Sequence, residues 1–185
     1  MKRFWLAAAL ATCALTLGFK PVDAQEENLK FHLVPASDTI QTCLPDAQAT
    51  VIVHLTEAKK GVDSLELHAR GLPPNTTFAV FLTELPVPPF GAVQYIADFT
   101  TNKHGKGAVQ VKAIIEEAFS SAVDTTLGRV RKELDHMVFW FADPAADDFC
   151  FTPPDTGPIT PFEGDGEAGA AAMSSRNFLP NAPLP

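Results

Sequence analysis

The sequence predicts an all-β fold: a single antiparallel β-sandwich, immunoglobulin-like, with an extended Gly/Pro-rich C-terminal arm. Three observations carry this expectation. Six or seven short segments alternate apolar and polar residues with a period of two, the signature of a sheet with one covered face. Turn-forming residues punctuate these segments at short intervals. Firm helical periodicity is scarce. Trp140 and Cys150 near the expected core add to the immunoglobulin-like pattern.

At 185 residues, 46% hydrophobic and 19% charged, the chain suffices for one globular domain. Its first residues read as something else. Lys2 and Arg3 precede the apolar run Phe4–Leu17, and Val22-Asp23-Ala24 has the small residues of a cleavage site. This is the layout of a secretory signal peptide. The expected organisation is a leader at 1–24 that is removed, a sandwich domain at 25–150 and an arm at 151–185 docked on that domain. The expected location is the periplasm or the cell exterior, with no membrane insertion after the leader is removed.

Net charge is −8, from 14 basic and 22 acidic residues. The leader holds Lys2, Arg3 and Lys20 against Asp23, so its loss leaves 11 basic and 21 acidic groups and a net charge of −10. Phosphate backbones are neutralised by basic faces. The one basic cluster, Arg129, Arg131 and Lys132, is flanked by Glu133 and Asp135. A nucleic-acid partner is not expected.

In chain order, Phe31–Val34 reads as an edge strand stopped by Pro35, and Ala36–Pro45 as a loop. Ala49–Thr56 alternates Val51, Val53 and Leu55 with Ile52 and His54, a strand. Glu57–Gly61 is a charged turn. Leu65, Leu67 and Ala69 then alternate with Glu66, His68 and Arg70, and Phe78, Val80 and Leu82 mark another strand. Between these two, Gly71 permits unusual backbone angles, Pro73 and Pro74 fix φ, and Asn75 can close a turn. This connection suits a corner between sheets as well as a hairpin. The proline-rich loop Pro86–Gly91 cannot enter a sheet interior.

Ala92–Thr100 resumes the alternation, with Val93, Tyr95, Ala97 and Phe99 on one face. Thr101–Gly107 has the composition of a hairpin turn, and Val109, Val111 and Ala113 form the inner face of the next strand. The segment Ile114–Arg131 fits either a short helix or an irregular strand. Leu134–Ala142 is so continuously apolar that it predicts a strand covered on both sides. Asp143 followed by Pro144 is an N-cap and first-turn pair, predicting a short helical turn. Residues 151–185 hold seven of the 16 prolines and no alternation, yet keep Phe162, Met173, Phe178 and Leu179 as apolar anchors.

Two cysteines remain after the leader, Cys43 and Cys150. In an exported chain such a pair reads as a disulfide, with free buried thiols as the alternative. Their separation exceeds that of the usual inter-sheet bridge, so the bond would tie a loop to a strand end.

Four stretches, ARGLPPNTTFAVFL, FGAVQYIADFTTNKHGKGAVQV, LDHMVFWFADPAADDFCF and TPFEGDGEAGAAAMSSRNF, stand in this order within roughly Ala49 to Phe178. Together they resemble a family of uncharacterised secreted bacterial proteins with a β-sandwich-like core. The resemblance implies no activity and no catalytic residues. It does imply that the Gly/Pro-rich tail belongs to the fold.

Candidate chemistry is sparse. His32, His54, His68, His104 and His136 show no HxH or HExxH spacing. His54 and His68 on neighbouring strands, with Asp98 as a third ligand, would form a copper or zinc site, although strand histidines on a half-exposed face are more often ordinary surface residues. No G-x-S-x-G elbow is present, and Ser120, Ser121, Ser174 and Ser175 have no His and acid in recognisable order. Glu116-Glu117 and Asp147-Asp148 are adjacent pairs, which a strand would send to opposite faces. Asn75-Thr76-Thr77 matches a glycosylation sequon but also suits a turn. The acidic loop Glu163–Glu167 lacks the EF-hand spacing. The expectation is a non-enzymatic binding or structural module for a protein or carbohydrate ligand, Tyr95 and Phe90 being candidate sugar platforms. The alternative is a metal-binding protein or metal-dependent enzyme using His54, His68 and Asp98.

Overall fold

The computed structural model describes residues 27–55, 62–113, 121–124, 126, 128–131, 134, 136–152, 157–162 and 166–175. The expected leader, the turn at 57–61, the segment 114–120 and the anchors Phe178 and Leu179 lie outside these residues. The strands are β1 (Glu27–Pro35), β2 (Gln48–Leu55), β3 (Asp63–Arg70), β4 (Thr77–Thr83), β5 (Val93–Thr100), β6 (Gly107–Ala113), β7 (Ser121–Asp124), β8 (Gly128–Arg131), β9 (His136–Phe141), β10 (Thr160–Phe162), β11 (Gly166–Ala168) and β12 (Ala171–Ser174). Helix α1 (Asp38–Cys43) and a 3-10 helix (Pro144–Cys150) complete the order.

Eight strands form one continuous antiparallel sheet, ordered β5-β4-β9-β12-β1-β2-β3-β6, whose end strands β5 and β6 approach each other, so that the sheet is nearly barrel-shaped. β7–β8 and β10–β11 are separate two-stranded ribbons. The stretch from β3 to β4 is a corner: β3 pairs with β2 and β6, while β4 pairs with β5 and β9. Gly71 there has φ +70, and a Cβ on it would collide with the Asp46 carbonyl. Asn75 also adopts a left-handed φ of 54. The corner is bolted to the turn after β5. Thr101 Oγ1 donates to the Pro73 carbonyl and accepts from the Thr76 N–H at 3.0 Å, and the Leu72 N–H donates to the Gly105 carbonyl at 3.2 Å.

Two expectations need correction. β1 is not an edge strand: Glu27 to Leu33 pair with β2, then Val34 and Pro35 pair with β12. Pro35 lacks an N–H, but it sits where the partner changes, and the Ala36 N–H resumes bonding to the Ala172 carbonyl at 3.0 Å. Within the expected arm, β12 lies inside the sheet, between β1 and β9. Its alternation is masked by a bulge against β9, which lets consecutive Ala172 and Met173 both enter the core.

The loop expected before Cys43 contains α1. The Ser37 hydroxyl caps it by accepting from the Ile40 N–H at 3.2 Å, and Ile40 anchors it in the core. Asp143 caps the 3-10 helix as its Asp-Pro sequence predicts, accepting from the Ala145 N–H at 2.9 Å. These two short helices carry Cys43 and Cys150, whose sulfurs lie 2.07 Å apart, at disulfide distance. Closing a loop of this length stabilises by up to about 4.7 kcal/mol in the chain-entropy model.

The main core unites Val51, Val53, Leu65 and Leu67 with Phe78, Phe99, Phe139 and Phe141. Phe78 meets Phe141 at 4.9 Å and Phe99 at 5.3 Å between ring centroids. β9 is covered on both sides, as its apolar run predicts. Met137, Phe139 and Phe141 face the main core, whereas Val138 and Trp140 join a second cluster with Phe81 and Ala168. Trp140 therefore packs on the outer face of the sheet and not at its centre. Phe81 and Phe90 meet it edge-on at 5.3 and 5.0 Å.

Candidate functional site

The inner faces of β2 and β3 are committed to the core, so their chemistry-bearing side chains point outward. The register sets His32, Thr50, His68 and Ala108 side by side across β1, β2, β3 and β6. One step along, Gln48 stands opposite Arg70. Where this face runs toward α1 and the turn before β6, a groove of about 1040 Å³ opens. Its polar lining comes chiefly from His32, Gln48, His68, Arg70, Asn102 and Lys106.

Several of these groups are pre-set by one another. His32 Nδ1 lies 3.0 Å from the Thr50 hydroxyl. The Arg70 guanidinium donates to Gln48 Oε1. Asn102 Oδ1 accepts from the backbone N–H groups of His104 and Lys106, at 2.8 and 3.2 Å, which shapes the turn carrying Lys106. Among the described residues, none that lines the groove is acidic. Just outside the lining, Glu66 Oε2 lies 3.5 Å from His68 Nε2, and Glu66 Oε1 accepts from Gln110 Nε2 at 3.0 Å.

The proposed metal ligands do not assemble. His54 and His68 are on the outer face on either side of Glu66, with His54 Nε2 4.0 Å from Glu66 Oε1. Asp98 lies on β5 opposite Ala79 and lines a different recess, so the set His54, His68 and Asp98 is not brought together. Among the described residues, no group of three His, Cys, Asp or Glu side chains is arranged to hold a metal ion. His54 and His68 do stand on neighbouring strands, β2 and β3, as expected. The sheet order instead puts β5 and β3 on opposite sides of the molecule's seam, separated by β6.

The second recess, about 380 Å³, is lined by Phe81, Tyr95, Asp98, Glu167 and Ala168. Tyr95 is 44% exposed and packs edge-on against Phe81 at 5.5 Å. A bulge in β5 turns Tyr95 outward while Ala97 and Phe99 pair with the inward Val80 and Phe78, correcting the expected single face for Tyr95, Ala97 and Phe99. Phe90 is half-buried in a T-shaped contact with Trp140.

A serine–histidine contact that sequence spacing hid is formed by pairing β12 with β9. Ser175 Oγ lies 3.3 Å from His136 Nδ1 and accepts from the Met137 N–H at 3.0 Å. Ser175 is only 1% exposed, so this pair clamps two strands and offers no open nucleophile. Ser174 likewise donates to the Pro86 carbonyl. Of the Asp147-Asp148 pair, Asp147 is buried and bonds to the Ala170 N–H. Burial holds its pKa above the ordinary carboxylate range, with Asp148 and Asp143 adding to the rise and the Ala170 bond opposing it. No protein-family model matches this chain, and no curated protein matches it in sequence.

Proposed function

We propose that the protein is an exported, non-enzymatic binding module with a β-sandwich-like core, and that it recognises its ligand in the groove beside His68 and Arg70. Export through a leader at 1–24 and kinship with the uncharacterised secreted family are parts of the same proposal. The observation that carries it is the groove itself: polar side chains from four strands, a helix and a turn converge on one large concavity. Ligand sites are typically such concavities, with few convergent polar groups on a rigid frame. The sheet supplies the frame, because each lining strand has its opposite face locked in the core.

Ala108 is exposed on β6 and lines the groove. Ala108→Trp would fill the space without touching the core. An array of oligosaccharides and short peptides, probed with the wild type, Ala108→Trp and Tyr95→Ala, tests the assignment. Binding lost in Ala108→Trp and kept in Tyr95→Ala is the expected result. The reverse pattern would move the site to the recess beside Tyr95 and overturn the proposal.

A further inference from the structure

Resting on the groove as the ligand site, we infer that its ligand is an acidic oligosaccharide, held through its carboxylates by Arg70 and Lys106. The argument starts from hydrogen-bond valence. The Gln48 side chain accepts only through Oε1, and Arg70 already takes one of that oxygen's two lone pairs. Asn102 can accept only through Oδ1, and two backbone N–H groups occupy it. What these side chains offer a ligand is chiefly the donor end, Gln48 Nε2 and Asn102 Nδ2. The remaining guanidinium N–H groups of Arg70 and the ammonium of Lys106 are donors without exception.

The groove is therefore donor-rich, and its complement is a ligand rich in acceptors. Charge points the same way. In a chain of net charge −8 the lining residues include Arg70 and Lys106 and no carboxylate. Glu66, which stands beside His68, is engaged by His68 and Gln110. An anion is thus attracted into this concavity while the rest of the acidic surface repels it. The guanidinium fork of Arg70 matches a carboxylate's two oxygens.

The lining separates a sugar from an acidic peptide. Peptide ligands anchor through aromatic or aliphatic side chains in apolar pockets. The described lining holds no Phe, Tyr or Trp, and beside small apolar residues such as Val34, Pro45 and Ala108 its polar side chains are amides, hydroxyls, imidazoles and cations, which suit a hydroxyl-bearing chain. The absence of an aromatic platform also disfavours a neutral sugar, whose affinity leans on stacking.

Calorimetric titration of the full chain with a hexagalacturonate, its neutral galactose hexamer and hexaglutamate tests the inference. Hexagalacturonate is expected to bind at least about tenfold more tightly than either of the others, more weakly as salt rises. Arg70→Gln and Lys106→Gln should each weaken it by about tenfold, the scale of one charge-assisted hydrogen bond. Lys112→Gln, exposed on β6 outside the groove, should change affinity by less than about twofold. Equal binding of the neutral hexamer, abolished by Ala108→Trp, would overturn the acidic ligand while keeping the groove. Equal binding of hexaglutamate would overturn the sugar. Hexagalacturonate binding unaffected by Ala108→Trp, Arg70→Gln and Lys106→Gln would overturn both the ligand and the groove.

Discussion

Asp147 is fully buried, with one carboxylate oxygen on the Ala170 N–H and the other meeting no donor among the described residues. Gly157 and Gly169 lie so close that a Cβ on either would run into that carboxylate. Because its folded pKa is raised, the folded state holds the proton more tightly than the unfolded chain. Its contribution to stability is therefore complete below the usual carboxylate range and is lost as pH rises through the raised folded value. Asp147→Asn keeps an oxygen for the Ala170 N–H and removes the charge. Thermal melts across pH should show the variant gaining on the wild type as pH rises from acidic to neutral; parallel curves would contradict the assignment. Asp147→Ala strands the Ala170 N–H and should cost about 1–3 kcal/mol in denaturant unfolding. None of this was legible from Asp147-Asp148 as an adjacent acidic pair. The environment comes from residues well downstream, Gly157, Gly169 and Ala170.

At the scale of elements, alternation was a sound guide wherever one face of a strand is covered, as in β2, β3 and β4. The run at β9 also declared its two covered faces. Bulges broke the reading elsewhere. One extra residue in β5 turned Tyr95 away from Phe99's side, and another in β12 removed any period of two. Trp140 ties β9 to β4 and to the loop bearing Phe90 through two edge-on ring contacts. Trp140→Ala should cost about 3–5 kcal/mol by denaturant unfolding. A loss below about 1 kcal/mol would show that the outer cluster collapses freely around the gap. The two helices show the same limit of local signals. Asp143-Pro144 announced its helix, while α1 depends on Ile40 finding the core and on the Ser37 cap.

For the whole molecule, the sheet order mattered more than the element list. Which strands become neighbours depends on crossovers that no local pattern encodes. Hence a metal set drawn from His54, His68 and Asp98 separated, while His32, His68 and Arg70 gathered with Lys106. The groove was invisible in sequence for the same reason. Its residues come from five separate segments, and the pairing of Ala69 with Gly107, with the corner-to-turn bonds at Thr101, brings Lys106 alongside Arg70's strand. The fold also closes through its tail, because β12 joins β1 to β9. Removing residues 166–185 should abolish cooperative thermal unfolding, because β1 and β9 would each be left with an open edge in the middle of the sheet. A sharp melt in that truncated chain would contradict a central role for β12.

The groove assignment is tested most directly by mapping amide chemical-shift changes in NMR spectra of the full chain during titration with the hexagalacturonate. The account predicts shifts concentrated at Thr50, His68, Arg70, Asn102 and Gly107, with Tyr95, Asp98 and Ala168 unmoved. Shifts centred on Tyr95, Asp98 and Ala168, with the groove amides silent, would contradict it.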